Sequence, residues 1–183
     1  MSNDADTSTL VIAVLGLVLS VASLAWQAVT YRLNGPRIRV AMRVGASNGT
    51  GYGTAPVKAN WQRGVQQLQE QGLHTAIVAV LVRNVGRQAT TVVRYEAILD
   101  TGMAWGLTGA PPGCPPLPHR LEAESQVLYY LPLQDCINMA YATAGSEKTK
   151  ARHLQMKVEL GSGKVLTAKE RLPAPDLVAL AGK

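Results

Sequence analysis

Leu10 to Val29 reads LVIAVLGLVLSVASLAWQAV, twenty residues without a charge. At 1.5 Å of rise per residue, a helix of that length crosses the ~30 Å hydrocarbon core of a bilayer. A cleaved signal peptide would need a basic start and a shorter apolar core, whereas this run is a full span preceded by Asp4 and Asp6. The run therefore reads as an uncleaved anchor, with a short polar N-terminus over 1–8 and a transmembrane helix over 9–31. Trp26 and Tyr31 stand at its C-terminal end, where amphipathic rings settle at headgroup level.

Charge gives the anchor a direction. All 18 basic residues come after the run, against the ten acids that remain of 12 once Asp4 and Asp6 are set aside. Arg32, Arg37, Arg39 and Arg43 come just beyond the span, and the other flank has no Lys or Arg. The positive-inside bias then predicts the N-terminus outside and the rest of the chain in the cytoplasm, at the cell membrane. Trp26, Tyr31, Arg32 and Arg37 are the residues expected at the membrane interface. A basic balance can also mark nucleic-acid binding, but no aromatic residues are interleaved with a basic stripe, so no nucleic-acid partner is expected.

The chain beyond the anchor has room for one domain with a core. Only 16% of the chain is charged and 47% is apolar, without any Phe, so Val, Leu, Ala and Ile must fill that core. Ile38, Val40, Met42 and Val44 alternate with Arg37, Arg39 and Arg43, the period of a half-buried strand. Gly45 to Gly53 reads as a loop by composition. Trp61, Val65 and Leu68 are helically spaced in a Gln-rich stretch, either a short helix or an ornamented loop. His74 to Arg83 is apolar on both faces, as a central strand would be. Asn84-Val-Gly-Arg87 reads as a turn in which Gly86 can take positive φ. Further strands are predicted over 89–99 and 126–131. A Pro-rich loop lies between them, and after them a short helix with Leu133, Ile137 and Tyr141 on one face. Leu154, Met156, Val158 and Leu160 alternate with polar residues, Gly161-Ser-Gly-Lys164 turns, and 165–171 returns as a hairpin. The whole predicts a mainly β fold. One transmembrane helix precedes a sandwich of six or seven strands over 32–172, with 173–183 as a C-terminal tail.

Three of these stretches resemble a known family. Leu81-Val-Arg-Asn-Val-Gly-Arg87 resembles the V-x-N-x-G-R turn of immunoglobulin-like sandwiches. Leu117-Pro-His-Arg-Leu-Glu-Ala-Glu-Ser125 resembles their LP-x-x-L-x-x-G-E-S strand start, with Ala123 where glycine is usual. Gly161-Ser-Gly-Lys164 resembles their D-x-x-G-R hairpin. Together with the anchor, residues 75–171 resemble the small membrane-anchored immunoglobulin-like proteins of actinobacteria, most of them of unknown function. The resemblance implies a fold and a location, and no activity.

The motifs of chemistry fare less well. Gly161-Ser-Gly-Lys164 lacks the earlier glycine and the trailing Ser or Thr of a phosphate-binding loop, since Val158 and Val165 hold those places. His74, His119 and His153 share no ligand spacing with a Cys or carboxylate, and Cys114 and Cys136 have no second cysteine pair. Glu122 and Glu124, near a strand start, read as solvated. No catalytic, cofactor-binding or metal-binding residue is assigned, no cofactor is implied, and the chain is not expected to be an enzyme. In the cytoplasm the two cysteines would be free thiols; outside they could pair. Asn48-Gly-Thr50 matches a glycosylation triplet that the predicted side of the membrane would leave unmodified.

One pattern points to a partner. Ala13, Gly16, Ser20, Ser23, Gln27 and Thr30 recur at steps of 3 and 4, placing small and polar residues on one seam of the anchor helix. Small residues permit close helix approach, and Ser and Gln hydrogen-bond across it in lipid. Ala13, Gly16, Ser20, Ser23 and Gln27 are the predicted helix–helix interface, for a second copy or another transmembrane helix. The functional expectation is a membrane-tethered, non-enzymatic interaction module with an unidentified protein partner and a cytoplasmic sandwich. The alternative is an exported, envelope-facing binding domain on the same anchor. A ligand or partner found in the loops 45–60 or 107–119 would refine either reading.

Overall fold

The computed structural model describes residues 3–107, 109–144 and 151–181; the side chains of 3–11, 31–33, 144 and 178–181 lie outside that description. Helix α1 (Asn3–Asn34) has 32 residues, so it begins within the stretch read as a polar N-terminus. Within it Ile12–Thr30 is long and apolar enough to cross a membrane, and none of that segment is buried against the rest of the chain.

Strand β1 (Ile38–Ser47) comes next, then β2 (Tyr52–Pro56), helix α2 (Trp61–Glu70), β3 (Thr75–Asn84) and β4 (Thr90–Leu99). After them come β5 (Ala104–Trp105), β6 (His119–Leu121), β7 (Gln126–Pro132), helix α3 (Leu133–Ala144), β8 (His153–Leu160), β9 (Val165–Thr167), β10 (Leu172–Pro173) and helix α4 (Ala174–Ala181). The described residues thus hold ten strands where six or seven were expected, the surplus being two- and three-residue segments.

All pairing is antiparallel, in two sheets. The first runs β2-β1-β3-β7, with β3 central as its two apolar faces required. The second is built on β4 and β8, with β5 and β6 sharing the far edge of β4, and β9 and β10 that of β8. Val78, Val80 and Val82 of β3 face Leu154, Met156, Val158 and Leu160 of β8 within one buried core. Along β4 the buried residues are Val92, then Tyr95, Ala97 and Leu99, and the break in alternation is a register shift between Val92 and Arg94. Tyr95 stacks on Tyr129 across the sheets, with ring centroids 4.8 Å apart. On the opposite face of the first sheet, Ile77, Ala79 and Tyr130 are buried as a smaller cluster.

Several local expectations need correcting. Residues 45–53 are not a loop throughout: β1 continues to Ser47, and Asn48 Oδ1 accepts the N–H groups of Thr50 (3.2 Å) and Gly51 (2.9 Å), turning the chain into β2. The Gln-rich stretch is a helix, α2. It ends with Leu73 N–H donating to Leu68 O and Gly72 N–H to Gln69 O, Gly72 sitting at φ +91°. Tyr141 does not join Leu133 and Ile137 in the core; it is 64% exposed, and Cys136, Met139, Ala140 and Thr143 are the other buried residues of α3 among those described. The return after Gly161-Ser-Gly-Lys164 pairs over only three residues. The tail expected at 173–183 forms α4, which buries Leu177.

The corner at Asn84-Val-Gly-Arg87 joins the two sheets rather than making a hairpin. Asn84 is fully buried. Its Nδ2 donates to Gln88 O (2.7 Å), Glu122 O (3.1 Å) and, at a longer 3.4 Å, Leu121 O, while its Oδ1 accepts the Gly86 N–H (3.0 Å). One side chain thereby ties the β3–β4 corner to the β6–β7 corner. Gly86 is not at positive φ. It must be glycine for a different reason: a Cβ there would lie 2.4 Å from both Gly35 O and Arg37 N. The left-handed residue in the neighbouring turn is Glu124, with φ 55°, so the absence of glycine at Ala123 costs that turn nothing.

Side chains from outside the first sheet meet backbone groups that its own strands leave unpaired. β2 pairs with β1 only from Arg43 onward. Just beyond, the Met42 N–H donates to Glu170 Oε2 at 3.0 Å. On the far edge, Tyr95 OH donates to Tyr130 O (3.2 Å) and the Cys114 thiol faces the Tyr130 N–H.

Candidate functional site: an uncovered helix and a tryptophan-edged cleft

The seam of α1 is open. Gly16, Ser20, Ser23 and Gln27 are exposed, Ala13 with them, and a Cβ on Gly16 would meet nothing within 4 Å. Two of its hydroxyls already have partners inside the helix: Ser20 Oγ donates to Gly16 O (2.8 Å), and Thr30 Oγ1 lies 2.8 Å from Trp26 O and 3.0 Å from Gln27 O. Close approach is therefore the larger resource of this face, with Gln27 adding an amide. Of the expected interface residues, Trp26 and Arg37 are exposed at the end of the span; the side chains of Tyr31 and Arg32 lie outside the described residues.

On the domain, a broad concavity lies over the outer face of the second sheet. It is a cleft of about 600 Å³ floored by Val93, Arg94 and Glu159 and walled by Trp105, Leu107 and Pro118. A second hollow of about 210 Å³, lined by Met103, Asp135 and Met139, opens on the other side of Trp105. Trp105 therefore stands between two concavities, 45% exposed, on a two-residue edge strand. Glu96, in the cleft, is neutralised by an ion pair with Lys157, its register partner. The arrangement offers an aromatic anchor, short aliphatic walls and unequal charges, the composition by which a protein surface holds a polypeptide segment. Of the two loops singled out in the sequence, 107–119 supplies one wall of this cleft, while half of 45–60 belongs to β1 and β2.

Trp105 had little to announce it. It comes after the Asp100-Thr-Gly102 turn and precedes the Pro-rich loop, and two residues are too few for an alternating pattern.

The chemistry-bearing side chains do not gather. His74 precedes β3, His119 opens β6 and His153 opens β8. Among the described residues no group of three or more His, Cys, Asp or Glu is placed to hold a metal. Burial, then the charge of Asp135, pushes the Cys136 thiol up to about 12. Burial also raises Cys114, against the lowering effect of the Tyr130 N–H, and raises Tyr95 and Tyr129. These groups stay protonated at neutral pH, which suits core and edge positions. A third hollow, about 300 Å³, lies between Lys58, Glu170, Arg171 and Asp176 beside Trp61. Among the described residues the Trp61 Nε1–H is buried without an acceptor. Neither a protein-family model nor a curated protein sequence matches the chain.

Proposed function

We propose that this chain is a membrane-tethered interaction module, non-enzymatic, with an immunoglobulin-like sandwich on the cytoplasmic side. The observation that carries the reading is the pairing of an uncovered apolar span, Ile12–Thr30, with a domain that carries a broad concavity edged by an exposed tryptophan. An apolar helix of this length is stable in water only when covered, and lipid covers it without any help from the domain. The arginines at 37, 39 and 43 favour the cytoplasmic side. The seam through Gly16 and Ser20 brings a second helix close, a copy of this chain or another protein, and the Trp105 cleft takes a segment of the partner.

Recovery of the intact protein from membranes in gentle detergent tests this. Trp105→Ala should lose a co-purifying protein that wild type retains, since an aromatic anchor typically contributes ~2 kcal/mol or more. Gly16→Ile with Ser20→Ile should weaken helix crosslinking, whereas Val14→Ile with Val18→Ile, off the seam, should not. Identical behaviour of all three variants and wild type would leave the helix as an anchor and the cleft as bare surface.

A further inference from the structure

The corner where the chain leaves the anchor is basic in a way the domain itself does not balance. Gly35–Arg37 leads from α1 into β1, and the 84–87 turn lies against it, with Val85 N–H donating to Arg37 O at 2.8 Å. Arg39 and Arg83 are directly opposed in the β1–β3 register, so both side chains leave the same outer face of the first sheet. Arg37 lies two residues before Arg39, and Arg87 stands on the turn; all four are exposed. Arg83 is steered rather than neutralised: Nε and Nη2 donate to Gln126 Oε1 at 3.2 and 2.9 Å.

Acid near this corner is sparse. Among the described residues Glu122 is taken by Arg120 at 2.8 Å, which leaves Glu124 against four guanidinium groups. Among the described residues neither Arg39 nor Arg83 forms an ion pair. Like charges directly opposed across a strand pair cost stability, so the placement asks for an anion from outside the chain.

We propose that Arg37, Arg39, Arg83 and Arg87 seat the domain on anionic lipid headgroups of the leaflet from which α1 emerges. This rests on the reading of α1 as a transmembrane span. Distance decides for lipid: three extended residues reach ~10 Å at most, about one Debye length at ~0.1 M salt. Headgroups are therefore the anions of highest local concentration at this corner. The 84–87 turn is the hinge plate of the arrangement, because Gly86 allows it to lie flat on Gly35–Arg37. Seating also fixes which surface the domain shows to the cytoplasm.

The full chain in a supported bilayer, studied by neutron reflectometry, tests the proposal. Phosphatidylcholine alone is compared with phosphatidylcholine doped with phosphatidylglycerol. The domain is expected to abut the headgroups in the doped bilayer and to stand off in the neutral one. Arg39→Gln, Arg83→Gln and Arg87→Gln together should lower the seated-to-lifted ratio on the order of tenfold or more. Wild type should lift as salt is raised, a readout that needs no variant to fold. Equal stand-off in both bilayers, or seating that ignores salt, would overturn the proposal and leave the anchor reading intact. A full-length chain that alkaline carbonate washes from either bilayer would overturn both.

Discussion

Replacing Asn84 with alanine removes one amide and strips four backbone groups of their partner. The Gly86 N–H and the carbonyls of Gln88 and Glu122 lose bonds of 3.0, 2.7 and 3.1 Å, and Leu121 O loses a longer contact. A typical net contribution is about 1 kcal/mol per bond, and a buried group left unpaired costs ~1–3 kcal/mol. The three short bonds thus predict a loss of about 3 kcal/mol, a large share of the ~5–15 kcal/mol that holds a domain folded. Urea unfolding of the full chain in mild detergent, tracked by tryptophan fluorescence, should show a lower midpoint with an unchanged slope. Asn84→Asp is the sharper variant. It keeps an acceptor for the Gly86 N–H but turns a carboxylate oxygen toward carbonyls that need a donor. Its loss at neutral pH should therefore at least equal that of alanine. An alanine variant within ~1 kcal/mol of wild type would refute the idea that this amide joins the two corners.

Three other outcomes are expected. Gly86→Ala should cost about 2 kcal/mol or more, because its Cβ would press on backbone atoms that no rotamer change can move; an unaltered urea midpoint would mean that the turn does not lie on the linker. Glu124→Gly should raise stability by up to ~1 kcal/mol by relieving the left-handed strain at φ 55°, and a lowered midpoint would count against that geometry. The Cys136 thiol, raised by burial from 9.0 to about 12 in the folded chain, stays neutral there and ionises sooner in the unfolded chain. Its stabilising effect is thus complete below pH about 9 and lost as the pH climbs toward about 12. Cys136→Ala should flatten the fall of the urea midpoint over that window; the same fall in both proteins would assign the alkaline sensitivity to other groups such as Tyr95 and Tyr129.

Residues announce whatever a local period or an uncharged run encodes. The anchor, the alternation of β1 and β8 and the doubly apolar β3 each carry their own pattern. β2 does not: its Tyr-Gly-Thr-Ala-Pro run has no alternation, and it forms because β1 offers it a register from Arg43 to Ser47. β5, β6, β9 and β10 are shorter still and exist only as hydrogen-bonding partners of β4 and β8. The turn at Gly86 is legible as a turn, but its cause is not, since a clash with Gly35–Arg37 is a tertiary fact. The Trp105 cleft draws on β4, β5, β8 and the 106–118 loop, residues that no sequence window holds together. The seam on α1 is visible because helical spacing alone creates it. That Ser20 spends its hydroxyl on Gly16 O instead of a neighbour depends on a side-chain torsion, which no spacing encodes.

If α1 spans a bilayer as proposed, the domain diffuses in a plane, and copies in the same lipid carry their sheets at similar heights above it. Collisions that would be rare and randomly oriented in solution become frequent, edge-on and level. An unpaired strand edge is then a far more serious exposure than in a freely tumbling domain, because two such edges meet already aligned for pairing. Here Glu170 holds the Met42 N–H on one flank, and Tyr95 with Cys114 closes Tyr130 on the other. At these two places a neighbouring copy finds no free backbone group to pair with, so on the proposed reading association in the plane would fall to the helix and the cleft.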